Sequence, residues 1–73
     1  MPRQYSLVYF NFETFPEKYH QEYLKTFKKK HPYVFFGEIP NMPGHCVVID
    51  HYTGEIFSGY HTEDFIEIPE EEV

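Results

Sequence analysis

The sequence predicts a small single α+β domain with one helix and a mostly antiparallel sheet, in the element order β-α-β-β-β-β. Short runs of apolar and aromatic residues are typical of strands, and one segment near the N-terminus repeats apolar residues at helical spacing. Gly and Pro residues mark tight turns between the later runs. The chain has 73 residues, with eight Phe and seven Tyr, and rings at this density can form a core in so short a chain. We expect one domain over residues 1–69 and an acidic tail over 70–73.

The first strand and the helix are predicted from residues 5–30. Residues 5–12 (YSLVYFNF) are apolar on both faces, so we expect a strand that is covered on two sides. Thr14 and Glu17 have the spacing of a capping box, with Pro16 suited to a first helical turn. The helix should therefore cover about 15–30 and end there, because Pro32 disfavours helical geometry at the preceding residue.

Four shorter strands are predicted after the helix. Residues 33–39 form the first of them, and Pro43-Gly44 suits a type II turn. Residues 45–50 and 55–60 form a hairpin in which Gly54 takes a left-handed conformation. Residues 62–64 can form one tight turn before a last strand over residues 65–68.

Residues 47–68 (VVIDHYTGEIFSGYHTEDFIEI) resemble the closing half of SH3-like small barrels, in which a hairpin is followed by a single 3₁₀ turn and a short last strand. The resemblance covers about a third of the chain and is architectural. It implies an SH3-like partial barrel as the alternative to an open antiparallel sheet. It also implies a module that binds a peptide, a protein or nucleic acid, and not an enzyme.

The charges of the chain are divided between its two halves. All six Lys and Arg residues lie at or before Lys30, whereas residues 37–73 carry nine acidic groups and no Lys or Arg, and the net charge is −6. A surface of one sign attracts partners of the opposite sign at long range. The sequence therefore predicts a protein partner with a basic surface, for a chain that is a monomer or a homodimer, and it disfavours nucleic acid.

The expected location is the cytoplasm. Cys46 is the single cysteine, which excludes an intramolecular disulfide and favours a reducing compartment. No run of residues approaches the 18 apolar residues of a membrane span, and the N-terminus lacks the pattern of a secretory signal.

A cluster of His and Cys residues is the one candidate for metal or catalytic chemistry. Zinc could take ligands from four residues, His45, Cys46, His51 and His61, but adjacent residues of a strand point to opposite faces and no Cys-x-x-Cys pair is present. A thiolate at Cys46 with a His base and Asp50 as its orienting group would be disfavoured by the acidic surroundings. We expect no enzyme, no cofactor and no metal, with zinc binding as the alternative.

A second alternative is nucleic-acid binding by the basic residues of the first half. Lys25 and the run 28–30, with Arg3, are interleaved with aromatic residues that could stack on bases. Lysines in the last turn of a helix also stabilise its negative end. We favour this structural role for them, because nine carboxylates elsewhere would repel a duplex.

The sequence favours a small acidic protein that binds and modulates or inhibits another protein through the strands near its hairpin. The composition resembles that of small phage-encoded inhibitors. Aromatic anchors and a polar rim form the expected contact surface, although Phe57 and Phe65 are equally suited to the core. The expected anchors are Tyr52, Phe57, Tyr60 and Phe65, and the expected rim is Glu55, Glu63 and Asp64.

Overall fold

The computed structural model describes residues 2–14 and 17–72. They form five strands in one antiparallel sheet, whose order is β4-β3-β2-β1-β5, together with one short helix. The prediction of a small α+β domain with an antiparallel sheet is confirmed. The strands are β1 Leu7–Phe10, β2 Tyr33–Glu38, β3 His45–Asp50, β4 Ile56–His61 and β5 Phe65–Glu67.

The sheet is strongly curled. β4 and β5 lie at opposite ends of the strand order, yet only the three-residue 3₁₀ turn Thr62–Asp64 connects them. The turn is held from both sides, because the Thr62 N–H donates to the Gly44 carbonyl at 2.8 Å and the Asn11 N–H donates to the Asp64 carbonyl at 2.7 Å. A connection this short requires the two ends of the sheet to approach each other, so the inner face encloses the core.

The predicted helix over residues 15–30 was too long. The α-helix α1 covers only His20–Leu24, after a 3₁₀ turn at Glu17–Tyr19. Its N-cap is Tyr19, with no side-chain cap hydrogen bond, so Thr14 is not the cap of this helix; residues 15 and 16 lie outside the described residues. The chain leaves the helix because Phe27 is fully buried and its ring stacks on that of Phe10, with centroids 4.4 Å apart. Lys30 has a φ of +57°, which no helix continues through.

Aromatic rings form most of the core. The Phe27 ring lies at the centre, and it meets the rings of Tyr33 and Tyr60 nearly edge-on at 5.4 Å and 4.9 Å. Burying one such ring removes roughly 150–250 Å² from water, which explains how so short a chain builds a core. The buried cluster comprises Val8, Phe10, Phe12, Phe27, Tyr33, Phe35, Cys46, Val48 and Phe65.

Two irregularities bend the middle of the sheet. The β2–β3 register shifts between Phe35 and Gly37, which leaves Phe36 as an extra residue. The β3–β4 register shifts between Cys46 and Val47, which pair with Tyr60 and Ser58. Gly59 is therefore an extra residue of β4, with a φ of +87°. Extra residues of this kind increase local twist, and the two shifts therefore help the sheet to curl.

The expected tail contains a further turn. Residues Glu70–Glu72 form an exposed 3₁₀ turn, in which the Glu72 N–H donates to the Pro69 carbonyl at 2.9 Å. No helix in the described ranges is long and apolar enough to cross a membrane.

Candidate functional site

The loop between β3 and β4, with the last residue of β3, is called the hairpin tip here and comprises residues 50–55. Its backbone closes on itself, because the Asp50 N–H donates to the Glu55 carbonyl at 2.8 Å and the Gly54 N–H donates to the Asp50 carbonyl at 2.9 Å. Gly54 has a φ of +78°, the left-handed conformation that the sequence predicts. The tip is therefore a defined turn.

The Asp50 carboxylate holds the hairpin tip in place through hydrogen bonds. Its Oδ1 accepts the backbone N–H groups of Tyr52 at 2.8 Å and Thr53 at 3.1 Å. Its Oδ2 lies 2.9 Å from Nε2 of His31. Burial alone would raise the pKa of Asp50, but the hydrogen bond from His31, the two backbone donors and the positive charge of His31 lower it from 3.8 to about 2.

His31 ties the hairpin tip to the segment that precedes β2. Only 15% of its side chain is exposed, and its ring contacts those of Tyr33 and Tyr52, with centroids 5.1 Å and 5.3 Å away. The His51 N–H also donates to the Pro32 carbonyl at 3.2 Å. The tip is thus held by the carboxylate, the imidazole and this second segment together.

The hairpin tip presents an aromatic ring to solvent. Tyr52 is 72% exposed, and Ile56, the first residue of β4, is 66% exposed. Between them, Glu55 is exposed, and its N–H donates to the Thr53 hydroxyl at 3.2 Å. A rigid backbone with an outward ring and a carboxylate can fill an apolar pocket and pair with a cation.

The structure does not bring the predicted contact residues together. Phe57 and Tyr60 pack against the core, and Phe65 and Asp64 are buried, at 3% and 8% exposure. Phe65 and Asp64 are therefore not part of the predicted contact surface. Phe65 lies on the inward side of β5, and Asp64 lies in the turn that precedes it. Glu63 is exposed but follows β4, whose six residues place it roughly 20 Å from the tip.

The His and Cys residues of the zinc alternative are also separated. The rings of His45 and His61 lie 4.6 Å apart, whereas Cys46 is buried in the core and His51 lies at the other end of β3. Within the described residues, no group of three His, Cys, Asp or Glu side chains could hold a metal ion. Burial raises the pKa of the Cys46 thiol, which opposes its use as a nucleophile.

Lys28–Lys30 do not stabilise a helix end, because α1 ends at Leu24. They lie in the connection to β2. Lys29 and Lys30 line a cleft of about 240 Å³, where the Lys30 ammonium lies 5.5 Å from the centroid of the Tyr9 ring. The structural role predicted for these lysines is therefore wrong.

Residues 37–73, which carry nine of the acidic groups, form no continuous acidic surface. Asp50 and Asp64 are buried, Glu67 accepts from Arg3 Nε at 2.9 Å, and Glu38 accepts from the Thr62 hydroxyl at 3.3 Å. The remaining carboxylates are spread over the hairpin tip, the turn before β5 and the C-terminal turn. Charge acts here through the net charge of the molecule more than through one acidic patch.

Sequence reasoning missed His31 as a part of the site. An aspartate followed by a short polar loop is typical of a turn in which the aspartate side chain accepts the loop N–H groups. The role of Asp50 could therefore be predicted from the sequence. The partner His31 could not be, because it lies 19 residues away in the chain and only the sheet register brings the two together.

A comparison with models of protein families, with characterised proteins and with solved structures finds no match to this chain. Its function is therefore inferred from the geometry of the hairpin tip.

Proposed function

We propose that this protein is an interaction module that binds a partner protein through its hairpin tip and thereby modulates or blocks that partner. The observation that carries the proposal is the exposed Tyr52 ring on a loop that Asp50 and His31 hold in place. Interface residues that dominate binding energy are often Tyr side chains.

The energetics favour such a contact. With 72% of Tyr52 exposed, a partner pocket could remove roughly 100–180 Å² of its surface from water. At about 25 cal/mol per Å², this burial corresponds to about 2.5–4.5 kcal/mol. The hydrogen bonds of Asp50 fix the loop before binding, so less conformational entropy is lost when the complex forms.

The chemistry of the tip defines the partner. Glu55, which is exposed on the same turn as the ring, selects a cation at the edge of the apolar pocket, and the net charge of −6 attracts a basic surface at long range. The partner is thus a protein with an apolar pocket bordered by Lys or Arg residues. The binding role requires no cofactor and no catalytic group.

We further propose that the fold is of the SH3-like barrel type. The 3₁₀ turn Thr62–Asp64 between β4 and β5, which joins the two ends of the strand order, supports this assignment. The assignment agrees with a binding role. We place the protein in the cytoplasm, which its single buried cysteine supports.

Affinity capture with matched variants tests the function. The full chain is immobilised and the recovered proteins are quantified for the wild type, Tyr52→Ser and Glu55→Lys. Tyr19→Ser and Glu22→Lys are the controls, because Tyr19 is also an exposed tyrosine and Glu22 is also an exposed glutamate, both outside the tip.

The proposal predicts one protein that is recovered by the wild type and both controls and that is reduced at least tenfold by each tip variant. Equal recovery by all five chains would show that the tip does not bind. Recovery of nucleic acid with no dominant protein would also contradict the proposal.

A further inference from the structure

The outward side of the sheet carries no formally charged side chain in any described strand. The strands contain three charged residues, and each of them is paired in register with a residue of the inward side. The pairs are Glu38 with Cys46, Asp50 with Tyr33 and Glu67 with Val8. An antiparallel sheet with one face in water normally alternates apolar inward residues with polar outward ones. Here the polar outward residues are confined largely to His45, Ser58 and His61, and most of the other outward positions are apolar.

Apolar side chains form a continuous row across the outward side. Leu7 pairs with Val34, Val34 with Ile49, and Ile49 with Ile56, so neighbouring Cβ atoms are about 5 Å apart. The row and its flanking residues are called the outer patch here. It comprises Leu7, Val34, Phe36, Val47, Ile49 and Ile56.

The outer patch is open to solvent at two of its members. Phe36 is 47% exposed and Ile56 is 66% exposed. The exposed Tyr5 ring lies edge-on against Phe36, with centroids 5.7 Å apart, and extends the apolar surface. The sequence predicts a first strand that is covered on both faces. In the structure, Tyr23 of α1 and Phe27 pack on Phe10, and they therefore cover the inward face of β1 and not the outward one.

We propose that the outer patch is covered by the same patch of a second copy of this chain. Two chains of net charge −6 repel each other at long range, and a surface without charged residues is where they can approach at least cost. A twofold dimer places the same surface on both subunits. The patch has no carboxylate for the basic partner of the hairpin tip, so that partner is not its occupant.

The size of the outer patch sets the strength of the dimer. Strands β2, β3 and β4, each about 20 Å long, and the shorter β1, about 13 Å long, are spaced by about 4.8 Å and together cover roughly 350 Å². Tyr5, which is 64% exposed, adds roughly 100–160 Å². The total of about 500 Å² per copy is close to the lower limit for a specific interface. We therefore expect a dimer that dissociates on dilution.

Dimerisation would present two hairpin tips on one particle. Linked tips raise the apparent affinity for a partner that offers two sites, without any new contact. The dimer itself does not depend on the partner, so its test is independent of the capture experiment.

Analytical ultracentrifugation of the full chain tests this inference over about 5–500 μM, a range in which mass action shifts a weak dimer. The variants are Ile56→Glu and Phe36→Glu. Both side chains are exposed, so the fold should tolerate the substitution, and far-UV circular dichroism checks it. The control Tyr19→Glu adds the same charge at a residue that is 46% exposed and lies outside the patch.

We expect the wild type and Tyr19→Glu to approach twice the monomer mass as concentration rises, and both patch variants to remain monomeric. A wild type that is monomeric throughout the range would overturn the inference. It would also be overturned if Tyr19→Glu lost the dimer as fully as Ile56→Glu, or if folded patch variants still dimerised.

Discussion

Replacing Asp50 by Asn should destabilise the protein in a pH-dependent way. The substitution keeps a side-chain oxygen for the N–H groups of Tyr52 and Thr53 and removes the negative charge that faces His31 at 2.9 Å. The two contributions of Asp50 are thereby separated: the turn hydrogen bonds stay, and the charge is lost.

The magnitude follows from the pKa of Asp50, which falls from 3.8 to about 2. A difference of nearly two units corresponds to at most about 2.5 kcal/mol, and solvent screening near the surface of so small a domain reduces it to about 1–2 kcal/mol. Because the folded-state pKa is below the unfolded one, this stability is present above about pH 4. It is lost as the pH falls toward 2.

Urea denaturation at pH 7 and at pH 2 measures the effect. At pH 7, the midpoint of Asp50→Asn should be lower than that of the wild type by about 1–2 M, given a slope of about 1 kcal/mol per M. At pH 2, the two midpoints should converge. The control Glu55→Gln removes an exposed carboxylate at the same tip and should match the wild type. A difference that persists at pH 2, or its absence at pH 7, would refute the role of the charge.

Three further predictions concern the core, the turn and the cysteine. Phe27→Ala should lower the free energy of unfolding by about 3–5 kcal/mol, as measured in urea, whereas Leu24→Ala on the half-exposed side of α1 should have a much smaller effect. Gly54→Ala should cost about 1–2 kcal/mol through backbone strain alone, because no atom beyond its two chain neighbours lies within 4 Å of the added Cβ. Unchanged stability would contradict the φ of +78°. Cys46 is buried with a raised pKa, so iodoacetamide should modify it only in denaturant, which mass spectrometry of the native chain would check.

The strands were predictable from the sequence, because each one has a local pattern of apolar residues between turn-forming residues. β3 has the predicted bounds 45–50, and Gly54 has the predicted left-handed conformation. These features depend on neighbours in the chain, which the sequence displays directly.

The helix was predictable only in part. Its spacing and termination pattern were local, but its length depends on where Phe27 must lie. That ring is in contact with Phe57 and Phe65, residues at least 30 positions away, and packing against them outweighs helix propensity after Leu24. The same packing places the lysines at 28–30 after the end of the helix, where the sequence predicts its last turn.

The candidate site was predicted at one residue pair and missed elsewhere. Tyr52 and Glu55 lie together on the tip, as loop residues should. The side chain of Tyr60 points inward because of the register shift at Gly59, and that of Phe65 points inward because of the turn before β5. Neither feature has a local pattern strong enough to fix which face a side chain occupies.

Hydrogen–deuterium exchange of the protein with its captured partner tests the central claim most directly. We predict that binding slows amide exchange at residues 51–55, around the exposed Tyr52 ring, and leaves the Lys28–Lys30 segment unchanged. Protection of that lysine segment or of the turn Thr62–Asp64, with exchange at residues 51–55 unaltered, would contradict the assignment of the hairpin tip as the contact surface.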